Sequence, residues 1–535
     1  MKLRLFYSMG LVAMVLPVGT ASAFADETEI VWTESTDTPP WTLEEGSQLV
    51  YERYDGSDGS TKVVVTSGSH FIPADQGGGD VCGGKVGVAV TETNVIINGG
   101  ENIKRIIGGN ENYGYIEGDR NIVVNGGSAD YIYGGDWYIK PDHGGLTSGY
   151  TSAETYGVQS STGVWVPKKS NGDINITING GSIGQIRGGH NCEEYASIDP
   201  RVSEDVGYYV DENGQVTSAR PYAVSGNVNI VLAGGTVGGK ESDAIRGAGG
   251  SWCSVDGNVN ITIKNEALVK GNIYAGARNK YGEVGGTGIR IEGGEVQGNV
   301  YGGGSYSSYQ TLTKGDTRIV LSGGKVTGNI YAAGNNDIVN GSTYVTVLGT
   351  GTELGENSIV SGGGVGENQK VDGTRNLQIG EVDIKSTCSL TIQDFDALTI
   401  AAGSEANLAA RTAFNLDNVT VLLNAESAFN QVTLNLVDIT VDKWILAVML
   451  SEEQIAAGSE IMLDNITISG TGLDFAAASP MLMFVDEQGK QIAVNNAALS
   501  GSNGVFSVSG TIPEPTTATL SLIALAVLVT RRRRK

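Results

Sequence analysis

The sequence predicts an all-β protein built as a parallel β-solenoid, expected to be right-handed, with an N-terminal β cap at 26–80 and a C-terminal β region at 375–510. Three observations carry this expectation. Glycine supplies 79 of 535 residues while charged residues make up only 18%, about twice the usual glycine share of roughly 7% with none of collagen's strict period or a disordered chain's charge. A short apolar strand closed by paired glycines recurs along 81–374. The spacing of the copies is too short for a four-stranded propeller blade, and no leucine-rich pattern is present. A chain this long would normally divide into several domains, but an internal repeat lets one core run on.

Eight copies of the strand can be written, among them Asn94-Val-Ile-Ile-Asn-Gly-Gly100, Ile174-Asn-Ile-Thr-Ile-Asn-Gly-Gly181 and Gly288-Ile-Arg-Ile-Glu-Gly-Gly294. In every copy the residues two and four before the first glycine, or before its replacement, are aliphatic, as in Val95/Ile97, Ile176/Ile178 and Ile289/Ile291. Such alternation makes a half-buried strand. A second strand follows, as in Gly271-Asn-Ile-Tyr-Ala275, and a variable loop returns to the next copy after 26 to 31 residues, or 54 where loops are long. The period suits one coil of a solenoid, with glycines supplying positive φ at the corners. The body thus resembles the glycine-rich parallel β-helix repeat proteins.

Stacking converts sequence equivalence into contact. Asn272, Asn299 and Asn329 are expected to form an amide ladder and Tyr274, Tyr301 and Tyr331 an aromatic stack, at about 4.8 Å per step. Cys192 and Cys253 each follow a glycine pair, Gly188-Gly189 and Gly249-Gly250, by three residues in consecutive copies. That spacing predicts a Cys192–Cys253 disulfide, worth about 4 kcal/mol for a loop of about 60 residues. Cys82 and Cys388 lie at opposite ends of the array and are not expected to meet.

Before the array, Val50–Tyr54 and Lys62–Thr66 flank Asp55-Gly-Ser-Asp-Gly-Ser60 and read as a hairpin that caps the first coil. The loop lacks the alternating aspartates of a calcium site. After the array the glycines thin out. A sandwich and a glycine-poor continuation of the solenoid both fit this region, which includes one helix opened by Ser451-Glu-Glu-Gln454. Two insertions, 136–170 and 190–225, follow the same glycine corner in adjacent copies. They carry Trp137, Tyr138, Trp165, Tyr208 and Tyr209, aromatic candidates for contact with a glycan or a matrix protein.

Both chain ends read as membrane-handling signals. Lys2 and Arg4, an apolar stretch from Leu5 to Val18, and Ala21-Ser22-Ala23-Phe24-Ala25 form a secretory signal peptide, 1–25, with cleavage after Ala23 or, preferably, Ala25. At the other end Pro513-Glu514-Pro515 precedes an apolar run from Ala518 to Val529 and the cluster Arg531, Arg532, Arg533, Arg534 and Lys535. The run spans about 20 Å where a comfortable membrane helix needs about 30 Å. These 23 residues, 513–535, resemble the PEP-CTERM sorting signal of Gram-negative bacteria. The resemblance implies handling by signal peptidase and an exosortase-like transferase, transient anchoring in the inner membrane through 516–530, and delivery to the outer surface. Without its ends the body holds 28 basic against 58 acidic residues, a balance of −30, which argues against nucleic-acid or anionic-lipid binding.

An enzyme needs convergent acids and bases on one face. The outward strand positions hold instead Asn175, Thr177, Asn229, Arg290, Glu292 and Arg318. None of the three histidines, His70, His143 and His190, makes a metal-ligand spacing. No Ser/His/Asp elbow or phosphate-binding glycine loop occurs. The sequence therefore predicts a non-enzymatic structural or adhesive surface protein with no cofactor, no metal and no catalytic residue. The rival is a polysaccharide lyase or hydrolase with an insertion-borne site including Asp142, His143 or Glu193.

Overall fold

Aliphatic residues on one side of each strand and small polar ones on the other dictate how the strands pair. The computed structural model describes residues 58–66, 79–84, 89–110, 115–139, 171–192, 223–250, 254–278, 282–305, 311–349, 351–380, 386–425, 431–472 and 480–513, with short strands at 28–30, 51–55, 158–159, 165–166, 209–210 and 216–217. The fold is all-β, with one large and mostly parallel sheet.

Its first stack runs from Thr61–Val65 through Thr93–Ile97, Arg120–Val124, Ile174–Ile178 and Val228–Leu232 to Thr343–Val347, each strand parallel to the one before. The aliphatic pairs read from the sequence are the core: Val95, Ile97, Ile176, Ile178, Ile289 and Ile291 are each at most 1% exposed. Burying such a side chain contributes roughly 2 kcal/mol. Outward, Asn94, Asn121, Asn175, Asn229 and Asn260 form an amide ladder, each Nδ2 donating to the preceding Oδ1 at 3.0–3.1 Å. Register ignores loop length: these steps join residues 27, 54, 54 and 31 positions apart.

A second stack comprises Ile103–Ile107, Ser128–Tyr133, Ser182–Arg187, Thr236–Arg246 and Leu268–Tyr274, again parallel. Its core is Ile106, Ile132, Ile186, Ile245 and Ile273. The expected asparagine ladder exists in a different bonding pattern. Asn272 Oδ1 accepts from the Asn299 backbone N–H at 3.0 Å, Asn299 Oδ1 from that of Asn329 at 2.8 Å, and Asn329 Oδ1 from that of Ile359 at 2.9 Å. At this corner the side chain satisfies a backbone donor that would otherwise be stranded. The tyrosine stack is also present, with ring centroids 4.3 Å apart for Tyr274–Tyr301 and 5.1 Å for Tyr301–Tyr331.

The second glycine of a pair sits in left-handed conformation, as at Gly127 (φ 89), Gly181 (φ 89) and Gly235 (φ 74). A Cβ on Gly181 would also lie 2.6 Å from the Gly127 carbonyl oxygen. Gly181→Ala is expected to cost about 2 kcal/mol, whereas Gly349→Asn, at φ 66 with open space around the Cβ position, is expected to be nearly neutral. Thermal melting checks this, and equal melting temperatures for the two variants would contradict it.

At the N-terminal end Tyr51–Asp55 pairs antiparallel with Thr61–Val65, and Thr28–Ile30 pairs antiparallel with Tyr51–Asp55. In the glycine-poor region the parallel pairing continues through Ala397–Ala401, Asn418–Asn424, Trp444–Leu450 and Met481–Asp486. Leu398, Ile400, Val419, Val421, Leu446 and Val448 keep the inward positions buried there, so this segment continues the stack. Antiparallel strands Val505–Thr511 and Asn495–Ser502 close its far end. The helix Glu452–Ala457 forms where Ser451 and Gln454 make a reciprocal capping box, and Gly458 ends it at φ 64. Among the described residues no helix is long and apolar enough to cross a membrane.

Candidate functional site

The outward side of the second stack carries charge and rings where the first carries asparagines. Residues that follow the core isoleucines, Tyr133, Arg187, Arg246 and Tyr274, occupy one column across consecutive repeats, and Arg105, Tyr131 and Gln185 occupy the next. Strand alternation sends both columns away from the core.

A bulge joins them. Gly238 (φ 104) and Gly239 (φ 93) take left-handed conformations, and the register of Thr236–Arg246 shifts between Gly238 and Asp243. The extra residues push Glu241 out far enough to reach past the intervening strand. Its carboxylate accepts from Tyr131 Oη at 3.1 Å, Gln185 Nε2 at 3.0 Å and an Arg246 guanidinium nitrogen at 2.9 Å, and lies 3.7 Å from Arg187. Asp243, its side chain only 3% exposed, accepts from Arg246 Nε at 3.1 Å and pairs with Arg278. Arg187 donates to Gln185 at 2.7 Å and to Asn191 at 2.6 Å. At the far side Asp80 holds the Arg105 guanidinium, which lies 3.4 Å above the Trp137 ring. Arg187 sits 5.5 Å and 5.3 Å from the rings of Tyr131 and Tyr133.

These partners set the protonation states. Burial alone would raise Glu241, but Arg246 and Arg187 bring it below the usual carboxylate range. Burial, with Arg187 beside it, pulls Arg246 down to about 10. Burial also pushes the Tyr131 and Tyr133 hydroxyls up. Chemically the network offers planar guanidinium forks held in place by carboxylates, next to aromatic surface.

Buried behind this face, His190 (1% exposed) accepts the Asp136 backbone N–H at Nδ1, at 2.9 Å. Burial holds its imidazole down to about 4, so it is a neutral packing residue. His70, His143, Asp142 and Glu193 lie outside the described residues. Among the described residues no group of three or more His, Cys, Asp or Glu could hold a metal ion.

Of the aromatic candidates named from the sequence, Trp137 belongs to the network. Tyr138 lies beside it in the strand Trp137–Ile139. Trp165 and Tyr209 fall on separate two-residue strands, Trp165–Val166 pairing with Val158–Gln159 and Tyr209–Val210 with Val216–Thr217, both antiparallel; Tyr208 lies outside the described residues. The insertions leave the stack side by side, since Trp137–Ile139 pairs parallel with Asn191–Cys192. Cys253, Glu514, Pro515 and Arg531 to Arg534 lie outside the described residues, which end at Pro513. Around the cysteines the register differs from the glycine-pair spacing: Arg187 stands opposite Arg246 and Gly188 donates to the Arg246 carbonyl, which aligns Gly188-Gly189 with Gly247-Ala248 and leaves Gly249-Gly250 two residues beyond.

Sequence reasoning missed Arg105, Arg187, Glu241, Asp243, Arg246 and Arg278, because it searched the first strand of each repeat. The signal available was the run Gly238-Gly239-Lys240-Glu241, a glycine pair out of phase with the repeat. Fold and network together define an all-β repeat protein bearing an arginine–aromatic face on its second stack. Comparison of the chain with known protein families, curated proteins and solved structures finds no match.

Proposed function

We propose that this chain is an exported cell-surface protein, structural or adhesive and without enzymatic activity, in which a right-handed parallel β-solenoid serves as a rigid scaffold for binding. The observation that supports this most is the position of the arginine–aromatic face, directly beside the paired strands from which the two longest insertions leave. In this reading the signal peptide directs export, the PEP-CTERM-like tail passes the chain to an exosortase-like enzyme, and residues 516–530 hold it briefly in the inner membrane. The partner is an extracellular glycan or matrix protein, met by the face together with Trp137, Tyr138, Trp165, Tyr208 and Tyr209.

Binding of the full chain to glycan arrays and mucin, beside a variant with 140–170 and 193–222 shortened to tight turns, tests the proposal. Binding that weakens in the shortened variant while its β circular dichroism persists is the expected result. Catalytic release of sugar by the intact chain would overturn it.

A further inference from the structure

We infer that the face formed by Arg105, Arg187, Arg246 and Arg278 with Tyr131 and Trp137 binds an anionic polysaccharide, one bearing carboxylate or sulfate groups along its length. This inference rests on reading the chain as a surface-binding scaffold and names the chemistry of its ligand.

Charge is the first support. The chain carries a net charge of −24, yet the groups gathered here are Arg105, Arg187, Arg246, Arg278 and Lys240 against Asp80, Asp130, Glu241 and Asp243. Five basic groups meet four acidic ones here, where the whole chain holds 35 basic against 59 acidic residues. Spacing is the second. Arg187 and Arg246 stand opposite each other on adjacent strands, about 4.8 Å apart, with Arg105 beyond the Tyr131 strand on one side and Arg278 beyond Tyr274 on the other. Cations spread along the stack in this way match a polymer better than a single small anion.

Preorganisation is the third. Asp80, Gln185, Glu241 and Asp243 fix the guanidinium forks, so little side-chain freedom remains to be lost on binding. Arg187, Arg246 and Arg278 share the two carboxylates of Glu241 and Asp243, which leaves one positive charge in a poorly screened setting for an oxyanion to meet. The rings of Tyr131 and Trp137 add flat apolar surface for the C–H faces of sugars. Nucleic acid offers the charge without those faces.

Affinity electrophoresis of the full chain with polygalacturonate, heparin, dextran and single-stranded DNA tests the inference. Expected is retardation by polygalacturonate or heparin, which of the two identifying carboxylate or sulfate, with none by dextran and loss at high salt. R187Q/R246Q should weaken that binding at least about tenfold, and R187K/R246K, which keeps the charge but not the fork, should weaken it less. R290Q/R318Q, which removes equal charge from the first stack, should leave it unchanged. Should the glutamine variant fail to fold, Tyr131→Ala and the lysine variant carry the comparison. The inference is overturned by undiminished binding in a folded R187Q/R246Q chain, by equal retardation with DNA, or by binding confined to dextran. That last result would leave the adhesive scaffold standing, whereas no binding to any of the four would overturn the inference and leave the structural role.

Discussion

Replacing Tyr301 with alanine is expected to destabilise the stack by about 3–4 kcal/mol. Tyr301 is the middle ring of three, 7% exposed and nearly coplanar with its neighbours at 4° and 14°. It forms with Tyr274 and Tyr331 a cluster separate from the main core. Truncation therefore removes two stacking contacts at once, each worth about 0.5–1.5 kcal/mol beyond area burial, and opens a void between rings held apart by rigid strands. Tyr301→Phe keeps the ring and loses only the hydroxyl that accepts from Asn299 Nδ2 at 3.3 Å, so it should cost about 1 kcal/mol. Chemical denaturation checks the pair, with amide exchange of Val300–Tyr301 and Ile330–Tyr331 locating the damage. An alanine variant no weaker than the phenylalanine one would show that the stack contributes nothing.

Acidification from pH 7 to pH 5 is expected to loosen one part of the molecule and tighten another. Burial holds His190 down to about 4, with Asp136 opposing and Arg120 reinforcing that shift. The unfolded chain takes up this proton near pH 6.5, so the stability His190 contributes is full above that pH and is lost as pH falls towards 4. Roughly 3 kcal/mol is at stake. Asp337 has the opposite sign. Its carboxyl is fully buried, accepts from Thr311 and Thr313, and is pushed up to about 6 by burial. The folded chain keeps this proton where the unfolded chain has released it. The resulting stability is full below the ordinary aspartate value and disappears as pH rises through 6, again by roughly 3 kcal/mol.

A global melt would show the two nearly cancelling. In a stacked repeat, however, each strand answers mainly to its neighbours. Amide exchange at pH 5, corrected for intrinsic rates, should show lower protection around Asp136 and His190 and higher protection around Thr311–Thr313 and Asp337–Val339 than at pH 7. H190Q should abolish the first change and D337N the second. Parallel changes in both regions would refute this assignment.

Much of the fold was legible because a repeat turns linear spacing into spatial position. Ile176, Ile230 and Ile261 align by counting back from the corner, and so do Tyr274, Tyr301 and Tyr331. The helix after Ser451 was legible from its capping box. Asn175 and Asn229 were read as outward residues without the ladder they form with Asn121 and Asn260, since an outward asparagine looks the same paired or unpaired in sequence. The continuation of the stack beyond 375 was hidden because Leu398 and Val419 keep the inward pattern while the glycine markers vanish. The arginine–aromatic face was illegible for another reason. It depends on a bulge at Gly238-Gly239 that brings Glu241 to Tyr131, 110 residues earlier in the chain, and no local pattern encodes so distant a contact.

The indifference of register to loop length has a consequence for how such a chain diversifies. Asn175 bonds to Asn121 and Asn229 across 54 residues in each direction with the geometry that Asn121 and Asn94 show across 27. A frame that closes identically over short and long detours accepts foreign segments at that corner without renegotiating its own assembly. Lineages can therefore exchange what the corner displays while keeping the frame, and an engineer can graft a peptide or a small domain between Ile139 and Asn171 as onto a mounting rail.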